Sequence, residues 1–138
     1  MTIKLPPPQG LFRTTRLFLR PFAMANPRAE ALFAVDHPLE GLVGTVGFGP
    51  DRVLATQVNC WIDEPYRRRG YATEVLTGAL VWARDVWGRR CVTARHFADD
   101  PAAARALSKA GFLYTGRTEI RARCARAPAL ARWMVWVA

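Results

Sequence analysis

The alternation of apolar and polar residues changes character near the middle of the chain. Residues 53–62 alternate apolar and polar side chains, with Val58 and Ile62 among the apolar ones, as in a half-buried β-strand. From Ala72 onward, apolar residues recur at i, i+3, i+4, i+7, i+8 and i+11, which predicts a helix that stops at Gly88. A basic turn joins the two patterns. The sequence therefore predicts a strand, a turn and a helix in succession.

The segment ahead of this unit predicts one strand and one short helix. Residues 14–21 alternate well enough to form a first strand. Asn26 can cap a helix and Pro27 can occupy its first turn, so we expect a helix over roughly residues 27–35. A proline follows His37, and this dipeptide should end the helix.

Three further runs extend the sheet around the central unit. Residues 41–48 predict a strand, and turn residues 49–51 lead into the 53–62 strand as an antiparallel hairpin. After the central helix, residues 89–96 return as a strand. A strand, a helix and a second strand in this order predict a βαβ unit with a right-handed crossover.

The C-terminal third predicts a capped helix and two strands. Asp100 is a good N-cap, Pro101 suits the first helical position, and Gly111 is a good stop in the left-handed conformation. Residues 112–120 and 131–137 are strand-like. The whole pattern predicts a single α/β (α+β) domain with a mixed, mostly antiparallel central sheet and helices on both sides.

Length and composition agree with one globular domain. The chain has 138 residues, of which 51% are hydrophobic, enough to bury a core of its own. Residues 1–10 are proline-rich and predict a flexible leader, which leaves residues 11–138 for the domain. No apolar run approaches the ~20 residues that span a bilayer, and the N-terminus lacks the apolar segment of a signal peptide. We therefore expect a cytoplasmic protein without a membrane partner.

Neither the net charge nor the cysteine content decides the function class. The formal net charge of +9 permits contact with anions, including RNA or a ribosome, without establishing it. The basic residues are 18 arginines and 2 lysines, a bias that also fits GC-rich codon usage. The three cysteines are widely spaced and contain no C-x-x-C pair, so we expect neither a metal site nor a disulfide framework.

The basic turn at residues 67–73 reads R-R-R-G-Y-A-T and is suited to binding phosphate. The N-terminus of a helix presents unpaired N–H groups and a partial positive charge, Gly70 allows a close approach, and arginines add forked donors. The alternative is a solvated basic turn that caps the helix. The glycine patterns of a Walker loop and of a dinucleotide fingerprint are both missing. The sequence therefore predicts a diphosphate-binding turn.

This turn carries a resemblance to a known family. R-R-R-G-Y-A fits the R/Q-x-x-G-x-G/A signature of the GNAT superfamily of N-acetyltransferases, and PYRRRGYATE is similar to its ribosomal-protein N-terminal alanine acetyltransferase branch. Two other segments agree in the family's order, T-x-R-L-x-L-R-P and D-P-A-A-A-R-A-L-S-K-A-G-F, so the resemblance runs from Thr14 to the end. It implies a GNAT-type fold in which the strand before the turn splays from the strand after the helix.

The resemblance also implies acetyl-coenzyme A as cosubstrate. Its diphosphate would lie on the turn, and its pantetheine arm would lie in the gap between the splayed strands. The expected cofactor-binding residues are Cys60, Trp61, Ile62, Arg67, Arg68, Arg69, Gly70, Tyr71, Ala72, Thr73 and Asp100. Two of these residues have an alternative to cofactor binding. Thr73 could be an ordinary residue of the first helical turn, and Asp100, which replaces a family asparagine, could instead serve as a helix cap.

Acetyl transfer to an ammonium group needs the removal of a proton. Asp63 and Glu64, at the end of the splayed strand, are the predicted catalytic residues, although both could instead cap the turn or pair with arginines. Glu119, His37 and His96 are further candidates, and in several relatives water relays the proton.

Besides Asp100, the chain departs from the family in four places. Gln57 stands where relatives often have glutamate, Ala103 where they have a serine thought to lie near the coenzyme A sulfur, and Leu107 near the tyrosine acid of other branches. Tyr114 lies too far along the chain to be assumed equivalent to that tyrosine. The region between residues 22 and 40 is shorter than in relatives, which usually carry two helices there.

We interpret the sequence as an N-acetyltransferase that moves acetyl from acetyl-coenzyme A to a primary amine by direct attack in a ternary complex. The acceptor is either a protein N-terminus or a small amine. The short region after the first strand predicts a wide acceptor cleft, or one completed by the second subunit of a homodimer. The alternative is a catalytically weak or inactive coenzyme A-binding module, or a basic module that docks RNA or a ribosome.

Overall fold

The computed structural model describes residues 10–22, 30–50 and 56–138. Within these ranges the strands form one sheet of eight in the order β1-β2-β3-β4-β5-β6-β8-β7. No helix in these ranges is long and apolar enough to cross a membrane. The elements in chain order are β1 (Phe12–Arg13), β2 (Phe18–Pro21), β3 (Ala31–His37), β4 (Gly41–Pro50), β5 (Thr56–Ile62), α1 (Tyr71–Asp85), β6 (Cys91–Phe97), α2 (Pro101–Lys109), β7 (Leu113–Arg123) and β8 (Arg126–Val137).

The pairing of β5 with β6 is the one parallel pairing among the described strands, and it is short. All other neighbouring strands are antiparallel, including the β4–β5 hairpin, so the predicted mixed and mostly antiparallel sheet is confirmed. Helix α1 connects β5 to β6 and confirms the βαβ unit. Only Thr56 with Val92 and Gln57 with Thr93 are paired across the two strands. The strands then separate, as the predicted splay requires.

The main hydrophobic core lies on one face of the sheet. Strand register places Phe33, Val46 and Phe48 on this face, where Trp82 of α1 lies 4.8 Å from the Phe33 ring and 5.9 Å from the Phe48 ring. Leu107 of α2 joins the same cluster. Both described helices therefore pack on one face, whereas the sequence predicted helices on both sides.

The helix predicted for residues 27–35 is wrong where the structure describes it. Residues 31–37 form β3, which pairs along its length with β4 on one edge and, at residues 33–36, with β2 on the other. The proposed cap at Asn26 and Pro27 lies outside the described residues, as do residues 1–9 of the leader and turn residue 51. The short apolar run fits either structure locally, and pairing on both edges decides for the strand.

Three other strands differ from their predicted bounds by three residues or more at one end. Strand β2 begins at Phe18 and not at residue 14, because Thr14 donates its N–H to the Leu17 carbonyl in a tight turn, 2.9 Å. Strands β7 and β8 continue past residues 120 and 131 into one long hairpin whose last paired residues are Arg123 and Arg126. The start predicted for β5, residues 53–55, lies outside the described residues.

The predicted ends of α2 are confirmed. The Asp100 carboxylate accepts the backbone N–H of Ala103 at 3.1 Å, which satisfies one of the orphan donors at the start of the helix. Gly111 follows the C-cap with a φ of +103°. A side chain at this φ is strained, and a Cβ atom would also lie 3.4 Å from Cδ1 of Trp136.

Replacing Gly111 should therefore destabilise the protein. We expect Gly111→Ala to lower the free energy of unfolding by about 1–2 kcal/mol, the cost of a left-handed L-residue. Urea denaturation measures this difference. Gly10→Ala is the control, because a Cβ atom there would have no neighbour within 4 Å and no positive φ is involved. Equal stability of both variants would contradict this account of the end of α2.

Candidate active site

The turn between β5 and α1 has an unusual backbone. A short 3-10 helix, Glu64–Tyr66, precedes it, and Gly70 at the N-cap of α1 has a φ of +79°. Arg68 also has a positive φ, +66°. Two left-handed residues so close together bend the chain sharply, and Gly70 takes this conformation without a steric penalty.

The consequence is a row of backbone donors. The N–H groups of residues 68–73 have no hydrogen-bond acceptor among the described residues, and the first bond of α1 runs from the Glu74 N–H to the Gly70 carbonyl, 3.1 Å. No side chain caps this helix. Consecutive N–H groups at the positive end of a 15-residue helix form a concave site for an anion.

The three arginine side chains of the turn have different roles. Arg67 donates from Nε to the Ile62 carbonyl at 2.8 Å, and Arg69 binds both carboxylate oxygens of Glu40 at 2.8 and 3.1 Å. Arg68 is exposed and has no hydrogen bond or ion pair with the rest of the described chain. The outer arginines therefore hold the turn in place, and Arg68 is available to an anion.

Glu74, in the first helical turn of α1, stabilises the basic turn. Its carboxylate accepts the Thr14 hydroxyl, the Arg16 backbone N–H at 2.8 Å and Arg16 Nε at 2.7 Å. Arg16 in turn donates to the Arg69 carbonyl at 2.9 Å. Burial alone would raise the pKa of Glu74, but these hydrogen bonds and the Arg16 charge outweigh burial and lower the pKa. The sequence analysis did not single out Glu74, because its partners lie about 60 residues earlier.

The backbone of β5 is unpaired on one edge beyond the short contact with β6. From Val58 to Ile62 the strand pairs with β4, while no residue of β6 pairs with it there. The predicted residues Cys60, Trp61 and Ile62 lie in this stretch. Burial raises the pKa of the Cys60 thiol to about 12, so this cysteine is a neutral thiol and not a nucleophile.

A cleft of about 750 Å³ opens where β5 and β6 separate. Asn59 and Trp61 line it from β5, and Arg95, His96 and Phe97 line it from β6. The start of α2 and the end of the β7–β8 hairpin complete the wall. Strand register places most of these side chains on the face opposite the helices. The basic turn and the cleft thus lie at the same end of β5.

The ionisable residues predicted from the sequence are distributed unevenly around this cleft. Asp63 accepts the indole N–H of Trp61 at 3.0 Å, and neither Asp63 nor Glu64 is among the residues that line the cleft. Asp100 lines it but uses its carboxylate as the cap of α2. Gln57 is buried, and its side-chain nitrogen has no partner among the described residues.

His96 and Tyr114 form a pair that the sequence analysis missed. The Nδ1 atom of His96 lies 2.7 Å from the Phe97 carbonyl, and its Nε2 atom lies 2.8 Å from the Tyr114 hydroxyl. A carbonyl only accepts, so Nδ1 carries a proton, and in the neutral form of the ring Nε2 then accepts the tyrosine O–H. His96 is buried, with 7% of its surface exposed, and lines the cleft. The two residues are 18 positions apart and meet only through the pairing of β6, β8 and β7.

Comparison with known sequences identifies a family. A family model described as an acetyltransferase (GNAT) domain matches residues 1–113. The match includes β1 to β6, the basic turn and both helices. No curated protein sequence matches the chain.

Solved structures with similar folds include several acetyltransferases. A GNAT-family acetyltransferase from Bacillus anthracis has a TM-score of 0.77 at 14% identity, covering 93% of this chain and 98% of that one. A ribosomal-protein-S5-alanine acetyltransferase from Vibrio fischeri has a TM-score of 0.70 at 18% identity, covering 79% and 61%. A dodecameric spermidine N-acetyltransferase from Vibrio cholerae has a TM-score of 0.69 at 15% identity, covering 78% and 64%. At these identities the likeness shows the fold alone.

The bracing by Glu74 predicts a pH-dependent stability. Its pKa is lowered on folding, so its contribution is present above the unfolded carboxyl pKa of about 4.3 and is lost as pH falls through the folded pKa. We expect Glu74→Gln to cost about 1 kcal/mol of unfolding free energy at pH 7 and progressively less at acidic pH. Thermal unfolding at several pH values measures this.

Asp85→Asn is the matched control, because Asp85 pairs with the neighbouring Arg84 on an exposed part of α1. Such a pair contributes little to stability, so this variant should unfold almost like the wild type. A Glu74→Gln effect that is no larger, or one that does not change with pH, would contradict the bracing role.

Proposed function

We propose that this chain, which belongs to the GNAT family of acetyltransferases, transfers an acetyl group from acetyl-coenzyme A to a primary amine held in the cleft between β5 and β6. The observation that carries the proposal is the adjacency of two features at the end of β5. One is the row of unpaired N–H groups at residues 68–73, and the other is the cleft. The first suits a diphosphate, and the second suits a reacting amine.

The residues of the turn fit the diphosphate of coenzyme A on their own chemistry. The backbone donors of Gly70, Tyr71, Ala72 and Thr73 would hold its oxygens, with the Arg68 guanidinium as the charged partner. The Tyr71 side chain is buried and contributes packing, since only 5% of its surface is exposed. The unpaired edge of β5 at Cys60, Trp61 and Ile62 would pair with the amides of the pantetheine arm. Acetyl-coenzyme A would supply the acetyl group as a thioester.

The chain must also remove a proton from the acceptor ammonium. The hydroxyl of Tyr114 can accept this proton while passing its own to Nε2 of His96, and the Phe97 carbonyl stabilises the resulting imidazolium through Nδ1–H. His96 lines the cleft, and Tyr114, which is not among the lining residues, meets His96 on the helix side of the gap. Asp63 and Glu64 stay predictions for the same role.

The acceptor class stays open between two alternatives. Transfer to a protein N-terminus and transfer to a small amine both fit the family, and the similar structures include an acetyltransferase of each kind. A homodimer that completes the acceptor site stays a prediction, as do the cytoplasmic location and the ribosome contact. The division into a leader, residues 1–10, and a domain, residues 11–138, also stays a prediction.

Coenzyme A binding should depend on the glycine of the turn. We expect Gly70→Ala to weaken binding of acetyl-coenzyme A at least tenfold in calorimetry, because the strained residue displaces several charge-assisted donors. Gly88→Ala is the control, since Gly88 has a similar φ of +75° outside the turn. The two variants should lose similar stability. If Gly70→Ala and Gly88→Ala bound acetyl-coenzyme A with equal affinity, the turn would not be its binding site.

The proposed proton path predicts a specific loss of turnover. We expect His96→Gln and Tyr114→Phe to lower kcat by roughly 10²-fold while the affinity for acetyl-coenzyme A changes little, since general-base catalysis contributes about that much. Thiol release with a panel of amines measures turnover. Glu64→Gln and Asp63→Asn are assayed in parallel. A large loss confined to one of these carboxylate variants would assign the base to it and refute the His96–Tyr114 path.

A further inference from the structure

The wall of the cleft carries more positive than negative charge. Four arginines line it, Arg95 from β6 and Arg121, Arg123 and Arg126 from the β7–β8 hairpin. The acidic residues of the lining are Asp99 and Asp100. Most of its lining side chains lie on the face of the sheet opposite the helices. An acceptor in this cleft would therefore meet a wall with an excess of positive charge.

The carboxylates near these arginines are already engaged. Asp99 accepts from Arg123 at 2.7 Å, and this hydrogen bond lowers the pKa of Asp99, so the group stays a charged partner of Arg123. Glu119 is shared between Arg95 at 3.1 Å and Arg121 at 3.3 Å. Asp100 accepts from the Ala103 N–H instead of an arginine. One carboxylate thus serves two of the arginines, which leaves an excess of positive charge.

Arg126 carries the least compensated charge of this group. Within the described chain its side chain has no hydrogen bond or ion pair, although its charge acts on Asp99 from a distance. In the hairpin register it stands opposite Arg123. Like charges directly opposite each other on two strands repel, and a bound anion would remove this repulsion. A forked guanidinium also matches a carboxylate or a phosphate in shape.

We propose that the cleft selects acceptor amines that carry a carboxylate or phosphate close to the amino group, and that it disfavours polyamines. This inference rests on the proposed function, because it assigns the cleft to the acceptor. The anionic group would contact Arg126 and Arg123, which stand opposite each other in the hairpin, while the amine points toward the gap between β5 and β6. A polyamine would bring further positive charge against the same wall, and repulsion of this kind is a common source of specificity.

Two sources could supply such an amine, a small acid or the acidic N-terminus of a peptide. The small pair is phosphoethanolamine and ethanolamine, with spermidine as the polycation. The peptide set has three members that share one sequence and differ only at their second and third positions, which are glutamates, glutamines or lysines. We expect kcat/KM to be about tenfold higher for the anionic member of at least one set, the sum of roughly two exposed charge pairs. The set that shows the preference identifies the source.

Arg126→Gln should reduce this preference to within about threefold, because most of the uncompensated charge is removed. Arg90→Gln is the matched control, because Arg90 is exposed and lies outside the cleft lining. This control should keep the wild-type preference. A parallel loss of acetyl-coenzyme A affinity in Arg126→Gln would assign the arginine to the cofactor and overturn the proposal.

A binding measurement separates this inference from acetyl transfer itself. N-acetylated versions of the three peptides and of phosphoethanolamine mimic the products, and calorimetry measures their affinity for the protein without coenzyme A. Tighter binding of the anionic products that requires Arg126 supports the inference even if no amine is acetylated, in which case only the proposed function fails. Turnover without any preference for anionic amines, together with equal product affinities, would overturn the inference and leave the proposed function intact.

Discussion

The early separation of β5 from β6 is the constraint on which the rest of the structure depends. The two strands share two residue pairs and then diverge, so the backbone of β5 from Val58 to Ile62 has strand partners on one edge only. Unsatisfied backbone groups are costly in a protein interior, and such a gap persists only where water or a ligand can reach it. The gap therefore becomes the floor of a cleft instead of a part of the core. The same divergence directs the chain beyond Ile62 into the basic turn.

Maintaining six unpaired N–H groups in one turn requires support from elsewhere. That support comes from the nearby bond of Arg67 to the Ile62 carbonyl and from contacts distant in sequence, which are the ion pair of Arg69 with Glu40 and the bonds of Thr14 and Arg16 to Glu74. Arg67 and Arg69 thus hold the turn through their contacts with the Ile62 carbonyl and Glu40, and Arg68 makes no such contact within the described chain. A turn fixed in this way loses little conformational freedom when an anion binds, which is the physical advantage of preorganisation.

One face of the sheet carries the hydrophobic core, and the other carries most of the cleft wall. Both described helices pack on one face and form one hydrophobic cluster with it. The other face carries the arginines of the β7–β8 hairpin and most of the cleft wall. His96 is the exception, because its side chain lies on the helix side and meets Tyr114 there, while the residue still lines the cleft. The proposed proton path and the proposed acceptor site therefore approach the gap from opposite faces.

The sequence alone determined the features that depend on neighbouring residues. Alternation, helical periodicity, the Asp100 cap and the stop at Gly111 predicted the βαβ unit and α2, because capping and turn geometry are local. The motif at residues 67–73 predicts an anion-binding turn before α1. Tertiary structure decided what local patterns leave open. Residues 31–35 became a strand through pairing on both edges. The bracing by Glu74, the His96–Tyr114 pair and the arginine wall arise from contacts across many residues, which no short pattern in the sequence encodes.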